Sequence, residues 1–281
     1  MIYLIIAILF GSLFAILFKI FAKKGVNTLM AIIINYATAL LIGPITNIIQ
    51  GQVAFSSFNQ VPIIPAILTG LFMMGGFITM NHATQSHGVA IATIATRVSF
   101  IIPTICAYLF LGEATLEPLT SILVILALML IFYSKGRAGI NLKKWYNPIL
   151  VFICYGVANF LLKYSQTRVS GNSALLALTT VIFTSALILS ILFYKINGDK
   201  NQKFKWRNIV AGIILGCTNV GCTYFLLKAL TEISTATLYP IYNISIVAIG
   251  VLAGRLLFKE HLTTLQYIGI IIAILAIYFS L

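Results

Sequence analysis

The sequence predicts an all-α polytopic membrane protein. It has ten transmembrane helices in two inverted five-helix repeats, residues 1–134 and 147–281, joined by a short basic loop at 135–146. Three observations predict this. The chain is 60% hydrophobic and 8% charged, where a soluble domain carries about 25% charged residues. Its apolar residues fall into ten runs, most of them near the ~20 residues that a helix needs to cross a bilayer. Matching residues also recur in order, at an offset that drifts from 144 to 147: Lys19 with Lys163, Asn27 with Asn172, Gly75 with Gly221, Ala83 with Ala229, and Glu113 with Glu260. Five is odd, so the second copy of a five-helix unit lies upside down relative to the first. Inverted repeats of this kind mark secondary transporters, with the solute site near the bilayer midplane.

The ten runs span about 2–20, 28–49, 61–83, 88–111, 116–134, 147–165, 173–194, 207–230, 234–258 and 262–280. The first lacks the basic start and small-residue cleavage site of a secretory signal, so it reads as a spanning helix. Polar or glycine-marked stretches at 22–27, 51–60 and 134–146 separate the early runs, and 195–207 (KINGDKNQKFKWR) is the most polar loop. No segment between runs is long enough for a separate domain, so binding falls inside the bundle or at its mouths. Cys106, Cys154, Cys217 and Cys222 all lie within apolar runs and read as small hydrophobes, with no metal or disulfide expected. The net charge of +13 sits mostly in short loops, where it sets topology. The expected partners are therefore the lipid bilayer and a small-molecule substrate, with no nucleic acid, and the chain is a monomer or homodimer.

The run from Gly88 to Glu113, GVAIATIATRVSFIIPTICAYLFLGE, holds Arg97 near its middle and Pro103 six residues on. A charge at such depth costs at least ~2.5–3.5 kcal/mol and therefore faces a protein interior or a wet cavity. A guanidinium there can take a carboxylate or phosphate bidentately. The alternative is a structural arginine bonded to helix carbonyls or to Asn and Tyr side chains. Ser99 shares the region. A similar run, Ser234 to Glu260, carries Pro240 and, near its midpoint, Asn243, the approximate repeat mate of Arg97; Tyr239 precedes Asn243 by one turn. Asn81, Asn219 and Tyr224 can also bond a solute, or else join helix to helix. Lys19 and Lys163 end runs 1 and 6 and are placed to ring the cavity mouths, or to snorkel to the interface. His82 can couple protons, or simply be solvated. Gly212/Gly216 and Gly250/Gly254 are spaced for close helix packing.

The acidic residues are Glu113, Glu117, Asp199, Glu232 and Glu260, all at run ends or in loops. No carboxylate lies at mid-membrane, which disfavours export of cations through a buried acid. No HExxH or GxSxG motif is present, and no enzyme activity or cofactor is expected.

The ten runs in two halves, Leu-Gly-Glu at 111–113, Phe-Lys-Glu at 258–260, Gln266 and Gly269 opening the last run, and Lys19 and Lys163 closing the first run of each half resemble the drug/metabolite transporter superfamily, in its ten-helix EamA-like type. The resemblance covers the whole chain. It departs at Ile246, where many relatives have proline. It implies an exporter or exchanger of small metabolites that works by alternating access, with a cavity walled by helices 1, 3, 4, 6, 8 and 9. With the absent carboxylates, it points to small anionic or zwitterionic substrates such as amino acids, carried through a central cavity in a bacterial inner membrane. Two other readings stay open: a carrier of neutral or lipophilic solutes in which Arg97 is structural, and a non-transporting membrane scaffold or sensor. The basic loops share one side, which the positive-inside rule makes cytoplasmic, with both termini outside; relatives of this type are drawn with both termini inside.

Overall fold

The computed structural model describes residues 1–49, 55–112, 118–133, 146–197, 205–258 and 264–280. Among these residues the chain is helical, without strands. The helices are α1 Ile2–Lys23, α2 Thr28–Ile49, the single turn α3 Phe55–Phe58, α4 Ile63–Val98, α5 Ile101–Leu111, α6 Pro118–Tyr133, α7 Tyr146–Gln166, α8 Asn172–Asn197, α9 Trp206–Glu232, α10 Thr235–Phe258 and α11 Thr264–Ser280. Four stretches are long and apolar enough to cross a membrane: Ile63–Met80, Tyr146–Gln166, Asn172–Ile196 and Trp206–Glu232. Shorter apolar helical stretches cover Ile2–Phe14, Leu29–Ile42, Ala95–Leu111 and Thr235–Gly250.

One boundary differs from the sequence expectation. The third and fourth runs are not separated at 84–87; helix continues through them and breaks at Ser99–Phe100 instead. No proline lies between Pro65 and Pro103, so nothing interrupts the hydrogen-bond ladder at 84–87. Pro103 has no N–H to offer the Ser99 carbonyl four residues back. That carbonyl instead takes the Ile102 N–H at 3.1 Å, a tighter i→i+3 turn. Arg97 therefore sits in the last turn of α4, two residues before a helix break, and not at mid-helix. The 36 residues of α4 would measure ~54 Å if straight, against a hydrocarbon core of ~30 Å.

The chain divides into two compact units. The first comprises Met1–Met74 and Tyr164–Thr231, the second Gly75–Lys163 and Glu232–Leu281, so each draws helices from both sequence halves.

In the first unit α2 packs against α8 and α9. The Asn27 side chain caps α2 by accepting the Met30 N–H at 3.1 Å. The Asn27 N–H in turn donates to Asn208 Oδ1 of α9 at 3.1 Å, which ties the starts of the two helices together. Four residues further along α9, Gly212 lies against Ile34 and the Ala31 carbonyl. Gly216 follows: a Cβ there would stand 2.6 Å from Thr38 Cβ and 2.8 Å from the Asn35 carbonyl. The four-residue glycine spacing thus does what it predicts at Gly212 and Gly216, letting backbones approach. Gly216→Val is expected to destabilise the protein by about 1–3 kcal/mol through overpacking, read as a lower melting temperature in detergent; an unchanged melt would refute this contact. On another side of α9, Phe225 stacks with Tyr3 and Phe10 of α1 at 6.3 and 6.1 Å. Lys228 lies over the rings of Tyr3 and Tyr224 at 4.8 and 5.5 Å.

In the second unit α6 packs against α11, and α10 against α5, α6 and α11. Gly156 of α7 presses on the side chain of Ile102, just past the Ser99–Phe100 break.

Candidate functional site

Helix α4 brings Arg97 to its last turn, and α10 brings Asn243 to meet it. The guanidinium Nη1 of Arg97 donates to Asn243 Oδ1 at 3.3 Å, across 146 residues of sequence. The orientation of the Asn243 amide follows from its other end, where Nδ2 donates to the Tyr239 carbonyl at 2.9 Å. A carbonyl only accepts, so the nitrogen must face it and the oxygen must face Arg97. Asn243 and Tyr239 are buried. The Tyr239 hydroxyl donates to the Asn159 carbonyl of α7 at 3.0 Å, fixing α10 against α7. The Arg97 Nε is buried and has no hydrogen-bond partner. Ser99, fully buried, spends its hydroxyl on the Thr96 carbonyl at 2.6 Å, bracing the helix end that carries Arg97.

Sequence reasoning missed Tyr155. Its hydroxyl donates to Met80 Sδ of α4 at 3.6 Å, and its ring lies against Gly76, where a Cβ would come within 2.9 Å of Cε2. Tyr155 packs with Met80 and Ala95 around Ala83 and Val151. A signal was present: Tyr155, Asn159 and Lys163 are spaced i, i+4, i+8, on one face of α7.

The structure brings Arg97, Asn243 and Tyr239 together in the second unit, with Ser99 beside them in the chain. Lys163 is buried on α7, two turns past Tyr155. Asn219 and Tyr224 belong to the first unit. There Asn219 donates to Asn35 Oδ1 at 3.2 Å and accepts from Thr223 at 3.4 Å, and Tyr224 carries Lys228 on its ring. His82 is exposed on α4. The side chains of Lys19 and Asn81 lie outside the described residues, as do Glu113, Lys259 and Glu260 of the two terminal motifs. Among the described residues no cluster of His, Cys, Asp or Glu could hold a metal ion.

Comparison with known proteins sets this geometry in context. An uncharacterized protein of Haemophilus influenzae is 28% identical over 98% of this chain and 96% of its own length. A crystal structure of a protein of 12% identity superposes with a TM-score of 0.80, covering 99% of this chain and 96% of that one, which shows a shared fold. The EamA-like transporter family matches residues 149–281. The matched residues, which include Tyr155, Asn159, Tyr239 and Asn243, are similar to that family.

Proposed function

We propose that this membrane transporter is a secondary active carrier of a bacterial inner membrane, which exports or exchanges small anionic or zwitterionic metabolites, such as amino acids, by alternating access. One observation carries the substrate class: the Arg97 guanidinium meets a neutral amide through Nη1 and leaves a buried Nε without a partner. The described residues contain a single carboxylate side chain, Glu232, at the end of α9. A carboxylate or phosphate on the solute would satisfy the unused donor with the charge-assisted, two-point geometry that guanidinium favours.

Two further facts support the ten-span inverted repeat. Leaving aside the turn α3, α2 packs with α8 and α6 with α11, the second and fifth helices of the two halves. Arg97 and Asn243 are separated by 146 residues, the same offset that relates Gly75 to Gly221. Secondary transporters of this build place their site where the repeats meet.

A second reading, a carrier of neutral solutes in which Arg97 is structural, is favoured by the Arg97–Asn243 bond itself. Counterflow in proteoliposomes separates the two. Wild-type protein is expected to exchange carboxylate-bearing solutes saturably, with stimulation by the same solute inside the vesicle. Exchange confined to neutral solutes would support the second reading.

A further inference from the structure

We infer that the Tyr155 hydroxyl is the second donor of the Arg97 site, and that it selects solutes bearing a single carboxylate. The inference rests on the function proposed above. A phenol is a strong donor, yet Tyr155 gives its proton to a thioether, Met80 Sδ, at 3.6 Å; thioether sulfur is a weak acceptor. A carboxylate oxygen would replace it with a charge-assisted bond roughly twice as strong as a neutral one.

The ring lies close against Gly76, where a Cβ would meet Cε2 at 2.9 Å, so a side chain there would displace it. The ring also stands near the arginine's helix turn: Ala95, two residues before Arg97, packs in the same cluster as Tyr155 and Met80. Arg97 has its own unpartnered Nε. One unit of positive charge and one neutral hydroxyl together balance one negative charge, which matches a monocarboxylate better than a phosphate dianion. Met80 then holds the hydroxyl in the solute-free protein and gives it up when the solute arrives.

The test is counterflow by the full-length protein in proteoliposomes. The probes are radiolabelled alanine, lactate and glutamate, beside glycerol and alaninamide as carboxylate-free controls. Wild-type protein is expected to exchange alanine and lactate in preference to glutamate, and Tyr155→Phe to raise KM for alanine and lactate roughly tenfold or more, as loss of a hydrogen bond to a charged group does, while the maximal rate stays within about twofold. Met80→Leu removes the placeholder alone and is expected to leave KM unchanged or lower it. A purely structural Tyr155–Met80 contact predicts the opposite pattern: both variants lower the melting temperature alike and neither changes KM. That pattern, or wild-type KM in Tyr155→Phe beside lost transport in Arg97→Gln, overturns the inference and leaves the role of Arg97 standing. Wild-type exchange of the carboxylate-free controls alone overturns both.

Discussion

Arg97→Gln is expected to lower the affinity for anionic solutes by roughly 30-fold or more, the cost of truncating one side of a buried charged pair. The same substitution is expected to leave the melting temperature unchanged or higher. These two results belong together. In the solute-free protein Arg97 is a half-buried charge held by one 3.3 Å bond to an amide, with Nε unpartnered. Removing a charge that has no ionic partner among the described residues leaves no ion pair broken, and glutamine can still donate to Asn243 Oδ1. A structural arginine would show the reverse: a lower melting temperature with solute affinity intact. Counterflow for affinity and a detergent melt for stability decide between them. A destabilised variant of normal KM would remove Arg97 from the site.

Asn243→Asp is the second large effect. Aspartate is nearly isosteric with asparagine and places a carboxylate 3.3 Å from the Arg97 guanidinium. At an effective dielectric constant near 20, unit charges 4 Å apart attract by ~4 kcal/mol. An internal ion pair of that strength competes with any anionic solute. Affinity for carboxylates is expected to fall by about 10³-fold, with a rise in melting temperature. Wild-type affinity in Asn243→Asp at neutral pH would show that the solute anion binds elsewhere.

The helices were legible in the sequence because the bilayer imposes a strong pattern on it. α2 matches the predicted run 28–49, and α7 to α11 lie within a few residues of theirs. The exception is instructive. Polar residues at 84–87 read as a loop, but polarity does not break a helix that has no missing N–H; proline does, and Pro103 set the break four residues upstream. Spacing singled out Asn243 as the approximate counterpart of Arg97, but that the two side chains meet is seen only in the packing. Tyr155 was not, because its importance comes from Gly76 and Met80 on another helix. Asn219 and Tyr224 looked equivalent to Asn243 in a list of intramembrane polar groups. Only packing showed that they belong to a different unit and satisfy neighbours there.

The Arg97–Asn243 contact has an ancestral consequence. On the repeat reading, it joins equivalent positions of the two halves. Two identical halves assembled in this way would set like against like: guanidinium facing guanidinium, or amide facing amide. The first arrangement is repulsive, whereas two amides can bond each other through donor and acceptor. The present pairing of a cation with an amide is therefore available only to a chain whose halves have diverged. On that reading, a homodimeric forerunner built from one half would have had to carry a neutral contact here, and the charge would belong only to the fused, asymmetric chain.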